Sequence, residues 1–319
     1  MANPYLSCKL CPRNCGINRL NGEIGYCGET AHLRIATAVI HKGEEPVLVG
    51  TGGSGTIFIS GCNLGCVFCQ NYQISQGAGK EQALGKAVTP EEFAGICAAL
   101  RDAGAENINI VTGSHAVPGI IEGICAARKA GVQLPVLWNS SGYDGIEALE
   151  LLGEHVDIYL PDMKTLDSKV SAEFFNAPDY PQTAKAAILK MIDNMEKKHE
   201  NARERIIVRH LILPGFLEST RSVLKWFADN AMEHATLSLM TQYTPVLGLS
   251  PGHSPGRSPK IPKRYVSESD YETVMKWLEE FGIEEGFCQE LVTGSDWLPD
   301  FKRSNPFPSK LSVPVWTGN

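Results

Sequence analysis

Two hydrophobic periods alternate along most of the chain. Short runs of β-branched and aromatic residues are each followed by a longer stretch in which apolar positions recur every three or four residues. The short runs predict strands at GTIFIS from Gly55, NINIVTG from Asn107, LPVLWNSSG from Leu134, VDIYLPDMK from Val156, RIIVRHLILPG from Arg205 and TLSLMTQYTP from Thr236. The longer stretches predict helices over about 90–104, 117–131, 145–154, 183–198, 219–231 and 267–281. Strands that alternate with helices in this way are typical of an α/β fold with parallel strands and right-handed crossovers.

Three segments lie outside this repeat. Residues 1–54 combine a Cys-rich opening with a predicted strand pair, LRIATAVIHKG and EEPVLVG. Residues 244–265 hold five prolines and four Lys or Arg residues, which indicates either a lid over a site or a solvated connection. Residues 297–319 contain four prolines and predict an extended surface arm. We therefore expect three regions, 1–54, 55–296 and 297–319.

The composition argues against several classes of protein. Of the 319 residues, 43% are hydrophobic and 20% are charged, which is typical of a globular chain. A net charge of −7 and a pI near 5.7 provide no basic face, which argues against a nucleic-acid partner. The opening residues contain no apolar signal core, and no run of about 18 apolar residues follows, so we expect a cytoplasmic protein without a membrane partner.

The run CNLGCVFC places Cys62, Cys66 and Cys69 on a loop directly after the first predicted strand. A [4Fe-4S] cluster normally takes four Cys ligands, so three thiolates leave one iron open to an exchangeable ligand. A zinc loop is the alternative, but structural zinc sites use four closed ligands, and no fourth Cys or His lies nearby in the sequence. The spacing therefore favours a cluster with a reactive iron.

A second cysteine group opens the chain and comprises Cys8, Cys11, Cys15 and Cys27. Four soft ligands close the coordination sphere of a metal, which indicates a structural or auxiliary site rather than a second catalytic one. Zinc and an iron–sulfur cluster need the same four thiolates, so both remain open. The other three of the ten cysteines are expected to be small apolar side chains.

Polar residues gather where five of the predicted strands end. They are Thr112 to His115, Asn139 to Ser141, Asp162 with Lys164, Arg209 with His210, and Gln242. Because the carboxyl ends of parallel strands meet at one face of a barrel, we expect these residues to build a site there. His210 follows Arg209 directly on a strand, so we expect their side chains to face opposite sides.

Seven segments together resemble the pyruvate formate-lyase activating enzyme-like proteins of the radical S-adenosylmethionine (SAM) superfamily. They are CKLCPRNCGINR, GSGTIFISGCNLGCVFCQNYQIS, INIVTGSH, NSSGY, VDIYLPDMK, VRHLILPG and LSLMTQYTP. The first is similar to the CxLCPRxCxxNR opening of one branch of that family. The resemblance implies a partial (β/α)6 TIM-like barrel with a small N-terminal Cys-rich metal-binding extension. It also implies that Cys62, Cys66 and Cys69 hold a [4Fe-4S] cluster, with SAM bound at the open iron.

The resemblance further implies a set of SAM contacts. Phe68 is expected along the adenine, and Lys164 and Arg209 are expected near the SAM carboxylate. Asp162, Asn139 and Ser140 are expected to line a monovalent-cation pocket, and Ser141 and Gln242 complete the cofactor-binding set.

The chain departs from the family at the second strand. A Gly-Gly-Glu segment that binds the SAM amine is replaced by Thr112-Gly113-Ser114-His115, so Ser114, His115 or backbone carbonyls are expected to take that role. His115 is interpreted either as a SAM contact or proton relay or as a simple loop cap. Glu44 and Glu45 imitate the missing segment but precede the cluster loop, so they cannot be the same element.

Three functions fit these observations. The first is a radical SAM enzyme, similar to glycyl-radical activases, that cleaves SAM reductively to a 5′-deoxyadenosyl radical and abstracts hydrogen from a protein or peptide. The second applies the same chemistry to a small metabolite. The third is an iron–sulfur assembly or electron-transfer protein without SAM chemistry, against which the open iron argues. The first two imply a flavodoxin- or ferredoxin-type electron donor and an anaerobic or reducing host.

Overall fold

The computed structural model describes residues 3–75, 84–246, 261–292 and 294–318. In chain order its strands are β1 (Leu33–His41), β2 (Ser54–Ile59), β3 (Lys86–Val88), β4 (Ile108–Val111), β5 (Val136–Ser140), β6 (Ile158–Pro161), β7 (Ile207–Leu211), β8 (Thr236–Met240), β9 (Gly286–Cys288) and β10 (Ser312–Thr317). Its helices are α1 (Pro46–Val49), α2 (Tyr72–Ser75), α3 (Pro90–Asp102), α4 (Val117–Lys129), α5 (Ile146–Leu152), α6 (Ser168–Phe175), α7 (Tyr180–Glu196), α8 (Leu217–Asn230) and α9 (Glu268–Glu280).

The six predicted strands form a parallel, partial barrel. β2, β4, β5 and β6 pair in that order, and β7 pairs with β8 in the same orientation. Bridges from Tyr159 to Ile206 and from Asp162 to Arg209 join β6 to β7. Each of the six strands is followed by at least one helix before the next begins, which confirms the predicted (β/α)6 architecture. β9 adds a short parallel strand beside β8 that the sequence pattern did not predict.

Side chains on the strands divide between the helical layer and the barrel lumen because successive residues point to opposite faces. Ile57, Ile110 and Trp138 belong to the main core cluster, which also contains the apolar faces of the helices. Leu137 and Ile207 point to the opposite face, the lumen, and belong to a separate, smaller cluster. Both residues lie near the starts of their strands, so this cluster fills the amino-terminal end of the lumen.

The predicted strand pair within residues 1–54 is wrong in its second half. EEPVLVG forms α1, which begins at Pro46, a residue that suits a first helical turn because it has no N–H to leave unpaired. Leu48 of this helix packs in the same small cluster as Leu137 and Ile207, while β1 pairs antiparallel with β2. A short apolar run does not distinguish a strand from a helix by periodicity alone. The last residue of β1, His41, pairs with the first residue of β2, Ser54. Because α1 lies in the connection between these two residues, it covers the amino-terminal end of the barrel.

The expected surface arm over 297–319 is also wrong in part. β10 pairs antiparallel with β1 and so extends the sheet. Phe301 and Phe307 pack against Phe58 of β2, with ring centroids 5.4 and 5.3 Å from its ring. The predicted lid over 244–265 falls mainly on residues 247–260, which lie outside the described residues.

Candidate active site

The three cysteines of the CNLGCVFC run lie on the loop that leaves the carboxyl end of β2. The loop is docked on the end of α6 through its backbone: Gly65 N–H donates to the Phe175 carbonyl at 3.1 Å and Val67 N–H to the Phe174 carbonyl at 2.9 Å. Leu64 N–H lies 3.3 Å from Cys62 Sγ, to which it donates. The loop geometry therefore comes from contacts with another barrel unit.

All three thiols are free and partly buried, and they interact electrostatically with one another and with Lys164. Burial raises the pKa of Cys62 to about 12, with a further rise from Cys69. Burial also raises the pKa of Cys66, and the ammonium of Lys164 opposes that rise. A bound metal centre would supply the positive charge that thiolates need here.

Lys164 is the cation of this site. Its ammonium pairs with the Asp162 carboxylate, and the two side chains are 18% and 21% exposed. Burial alone would lower the pKa of Lys164, but Asp162 and then Cys66 hold it above its usual value. Lys164 is therefore a charged and partly buried hydrogen-bond donor beside the cluster loop. The resemblance implies such a group near the SAM carboxylate.

Tyr180 fixes the backbone that carries this pair, a role that sequence reasoning missed. Its hydroxyl accepts the Lys164 N–H at 2.9 Å and lies 2.8 and 2.9 Å from the carbonyl oxygens of Ser141 and Asp162. Gly142 adds a close approach, since a Cβ there would lie 2.2 Å from the Asp162 carbonyl oxygen. The ends of β5 and β6 are thus held together at the level of Ser141.

Asp144, which the sequence analysis did not identify, accepts hydrogen bonds from the serines at the ends of β4 and β5. Its carboxylate accepts from Ser114 at 2.6 Å, from Ser140 at 2.5 Å and from the Trp138 indole at 3.3 Å. Burial raises the pKa of Asp144, while these hydrogen bonds act in the opposite direction. The Ser114 and Ser140 hydroxyls therefore have a buried protein partner instead of standing open for SAM or a cation.

His115 lies at the junction between β2 and the cluster loop. Its Nε2 donates to the Ser60 carbonyl oxygen at 2.9 Å, and burial lowers the pKa of the ring to about 3. A neutral imidazole at physiological pH does not suit the proton relay considered from the sequence. The contact supports the alternative interpretation of His115 as a cap, here on the residue two positions before Cys62.

Arg209 points into the lumen and is paired there, which the sequence did not predict. Its Nε and Nη2 donate to Glu45 at 2.8 and 2.6 Å, and Nη2 also contacts Glu44. The Arg209 side chain is 11% exposed. It therefore presents no free guanidinium to a SAM carboxylate in this conformation. Lys164 is also paired, but it is the better placed cation because it interacts with all three thiols of the cluster loop.

His210 faces the opposite side, as expected. Its Nδ1 lies 2.7 Å from the Met163 carbonyl oxygen and its Nε2 lies 3.0 Å from the Thr220 hydroxyl of α8.

The remaining predicted contacts surround the loop. Phe68 is buried, with ring centroids 5.8 Å from Phe175 and 5.4 Å from Tyr243. Gln242 accepts at its carbonyl from Gln70 at 3.2 Å, which ties the end of β8 to the residue after Cys69. Asn139 is half-buried at the end of β5, beside Val111 of β4. The adenine contact of Phe68 and the cation pocket stay predictions.

The N-terminal cysteines lie against the same face of the barrel. Cys8, Cys11 and Cys27 are buried and Cys15 is exposed. Over the described ranges, no three His, Cys, Asp or Glu side chains converge as a preformed metal site, in either cysteine group. Arg19 is 2% exposed, and its Nη1 lies 3.7 Å from Cys8 Sγ.

Comparison with known proteins identifies the family. A family model described as the radical SAM superfamily matches residues 56–227, which is more than half of the 319 residues. The chain belongs to the radical SAM superfamily. This radical SAM chain is also 31% identical over 245 residues to an uncharacterized protein of Methanocaldococcus jannaschii, across 76% of this chain and 68% of that protein.

Solved structures match the radical SAM chain less closely. SuiB from Streptococcus suis is 15% identical, with a TM-score of 0.46, over 74% of this chain and 48% of that one. The FeFe-hydrogenase maturase HydG from Carboxydothermus hydrogenoformans is 15% identical, with a TM-score of 0.49, over 71% and 50%. The chain spans about half the length of the solved structures that it matches.

Radical SAM membership implies an enzyme whose cofactors are a [4Fe-4S] cluster and SAM. The donor set fits this cluster in its chemistry, because three partly buried thiols share one loop and interact with the partly buried ammonium of Lys164. Three protein ligands leave one iron for a further ligand. Among the described residues, no helix is long and apolar enough to cross a membrane.

Proposed function

We propose that this protein is a radical SAM enzyme of the activating-enzyme-like branch that abstracts hydrogen from a protein or peptide substrate. When bound, the cluster supplies the electron that breaks the sulfonium carbon–sulfur bond of SAM and yields a 5′-deoxyadenosyl radical. The observation that carries the proposal is the CNLGCVFC loop, in which three partly buried thiols interact electrostatically with the charged Lys164. The protein then has to orient SAM and to exclude water.

Lys164 takes the electrostatic role in this proposal. Its ammonium and the Asp162 carboxylate stand at the carboxyl end of β6, and Tyr180 holds the backbone of both residues. A SAM carboxylate that approaches Lys164 gains a charge-assisted hydrogen bond in a partly dry site. Because the Ser114 hydroxyl is engaged by Asp144, amine recognition falls to backbone carbonyls near Thr112, whose φ is 65°.

The choice of a protein or peptide substrate rests on the resemblance to the activating-enzyme-like proteins, and surface clefts near the carboxyl ends of β6 and β7 are compatible with it. Two clefts of about 420 and 410 Å³ share Gly215 and Phe216, in the loop after β7, as lining residues. The first cleft also includes Asp167, which follows β6. Neighbouring open clefts offer room for an extended peptide segment.

The proposal includes two further components. A flavodoxin- or ferredoxin-type protein would deliver the electron. The N-terminal group Cys8, Cys11, Cys15 and Cys27 would hold zinc or an iron–sulfur cluster, and Arg19 supports this interpretation. Its guanidinium is buried near Cys8 and Cys27, and no carboxylate lies within ion-pair distance of it in the described part of the chain. Metal-bound thiolates would provide the missing negative charge.

Anaerobic reconstitution with deuterated substrates tests the substrate class. Candidate glycyl-containing peptides and, separately, pools of small metabolites would be incubated with iron, sulfide, SAM and a reductant. The proposal expects deuterium to move from a labelled peptide into 5′-deoxyadenosine. Transfer from a metabolite alone would favour the second function. An absence of SAM cleavage in a protein with a complete cluster would leave only the electron-transfer alternative.

A further inference from the structure

The CKLCPRNCGINR opening contains two arginines, Arg13 and Arg19, whose place in the function is not explained by metal binding. Both guanidinium groups leave the N-terminal segment and reach into the barrel. Their contacts lead to the backbone carbonyls of Ser60 and Asn63, which lie on the two sides of Cys62.

Arg13 holds the side that follows Cys62. Its Nε donates to the Asn63 carbonyl oxygen at 2.8 Å, and its Nη1 donates to the Asn176 carbonyl oxygen at 2.7 Å. The guanidinium carbon lies 3.7 Å from the Tyr26 ring centroid, so the ring supports the guanidinium plane. One side chain thus ties the cluster loop to the residue after α6.

Arg19 holds the side that precedes Cys62, and it acts through His115. Its Nη1 donates to the His115 carbonyl oxygen at 2.5 Å, and the His115 ring donates to the Ser60 carbonyl oxygen at 2.9 Å. The segment is crowded as well. A Cβ at Gly61 would lie 2.8 Å from the Cys27 carbonyl oxygen and 3.1 Å from His115 Nε2.

The positive charge of Arg19 connects its contact with His115 to the N-terminal cysteines. Among the described residues, the Arg19 guanidinium contacts carbonyl oxygens, the Tyr5 ring and the Cys8 sulfur. A buried guanidinium is stable only with a compensating anion, and thiolates at Cys8 and Cys27 would be that anion. A change from metal-bound thiolates to neutral thiols would therefore remove the electrostatic attraction that keeps the Arg19 guanidinium in place.

We propose that Arg13 and Arg19 are positioning residues that clamp the cluster loop on both sides of Cys62, and that Arg19 makes this clamp depend on metal at the N-terminal cysteines. The second half of this statement rests on the N-terminal metal site proposed above. The first half depends only on the contacts of the two arginines. The N-terminal segment thereby acts on the reaction from outside the set of SAM contacts.

Amide hydrogen exchange in the full chain tests both halves without any measurement of activity. The experiment uses a Cys62→Ala, Cys66→Ala, Cys69→Ala variant as its background. Because this variant lacks the loop cysteines, added zinc is directed to the N-terminal cysteines. Exchange is followed in the peptide 60–69, and the α4 peptide 117–129 reports on the overall fold. Zinc content is measured on the same samples. Arg101→Gln is the matched control, because Arg101 lies on the exposed face of α3.

Stoichiometric zinc should slow exchange in 60–69 about tenfold in the background chain and have no such effect after Arg19→Gln, with 117–129 unchanged. Arg13→Gln should speed exchange in 60–69 with or without zinc, and Arg101→Gln should not. If Arg19→Gln also speeds exchange in 117–129, Arg19→Lys replaces it: the retained charge should preserve the fold, and the lost fork geometry should still loosen 60–69.

The outcomes separate the two proposals. Bound zinc with no change in 60–69 would overturn the coupling, and background-level exchange in Arg13→Gln would overturn the clamp. A chain that binds neither zinc nor, after anaerobic reconstitution with iron and sulfide, an iron–sulfur cluster would refute the N-terminal metal site and, with it, the dependence on metal. The Arg13 result would still decide whether the loop is clamped.

Discussion

Lys164 is a charged residue beside the three cysteines of the cluster loop. Its side chain is 18% exposed, and its ammonium pairs with Asp162 and interacts with the thiols of the cluster loop. A cation in such a place is costly to bury unless an anion neutralises it. Asp162 is that anion in the structure, and the proposed function adds the SAM carboxylate and the metal thiolates.

Lys164→Met should weaken SAM binding about tenfold to a hundredfold, because one charge-assisted hydrogen bond is worth roughly 1.5 to 3 kcal/mol. Equilibrium binding of SAM to the cluster-loaded protein measures the effect. Lys169→Met is the matched control, since Lys169 is an exposed residue at the start of α6. Equal SAM affinity in the two variants would place the carboxylate elsewhere.

Arg209 has a different role at the same scale, as a counter-ion to Glu44 and Glu45 in the lumen. Arg209→Met should lower the free energy of unfolding by about 3 to 5 kcal/mol at pH 7, because it leaves buried carboxylates unpaired. Urea denaturation measures this loss. A further Glu45→Gln substitution should recover part of it, and an additive double variant would mean that the pair does not interact.

The same variant should change the response to pH. Burial would raise the pKa of Glu45, but the Arg209 guanidinium holds it below the usual 4.5. The wild-type pair therefore stabilises the fold above about pH 4.5, and this contribution is lost as the pH falls through the lowered pKa. Without Arg209, burial still raises the pKa of Glu45, and only hydrogen bonds from the backbone and from Ser238 oppose that rise. The stability gap between the two proteins should narrow from pH 7 to pH 4, and a constant gap would contradict the assignment.

Sequence reasoning at this scale identified residue types but not partners. The cysteine spacing placed Cys62, Cys66 and Cys69 on one loop after β2, where the structure has them, because spacing on a loop is a local property. Their role as cluster ligands stays a prediction. Asp144, Tyr180 and the pairing of Arg209 with Glu45 were missed, since each depends on contacts between segments far apart in the sequence.

At the scale of elements, the repeating units of the barrel were predictable and the segments that close it were not. β2 and β4 to β8 each combine a clear strand pattern with a following amphipathic helix. α1 and β10 are short, carry a proline and take their conformation from what they cover: α1 closes the amino-terminal end and β10 pairs with β1. Tertiary packing overrides weak local preference in such segments.

The C-terminal segment is consequently expected to stabilise the barrel. Phe301 is 2% exposed and contacts Phe58 of β2, whereas Val313 on β10 is 50% exposed. Phe301→Ala should lower the free energy of unfolding by about 3 to 5 kcal/mol through lost burial and a cavity. Val313→Ala should change it by no more than about 0.5 kcal/mol. Chemical denaturation compares the two, and similar small effects would restore the interpretation of 297–319 as a surface arm.

At the scale of the whole molecule, the reactive loop is held between three parts of the chain. The barrel supplies β2 and the end of α6, the N-terminal segment supplies Arg13, and Gln70 connects the loop to the end of β8. The sequence predicted the separate N-terminal segment and the barrel, but not that the former docks beside Cys62. Such docking depends on complementary surfaces and leaves no periodic signal in either segment.

The central claim is that Cys62, Cys66 and Cys69 hold the centre that cleaves SAM. Formation of 5′-deoxyadenosine after anaerobic reconstitution with SAM and dithionite measures it most directly. Cys125→Ala, Cys288→Ala is the control for cysteine loss, because both residues lie outside the two cysteine groups. The account predicts that replacing all three loop cysteines with Ala abolishes 5′-deoxyadenosine and that the control retains it. Wild-type formation of 5′-deoxyadenosine in the triple variant would contradict the account.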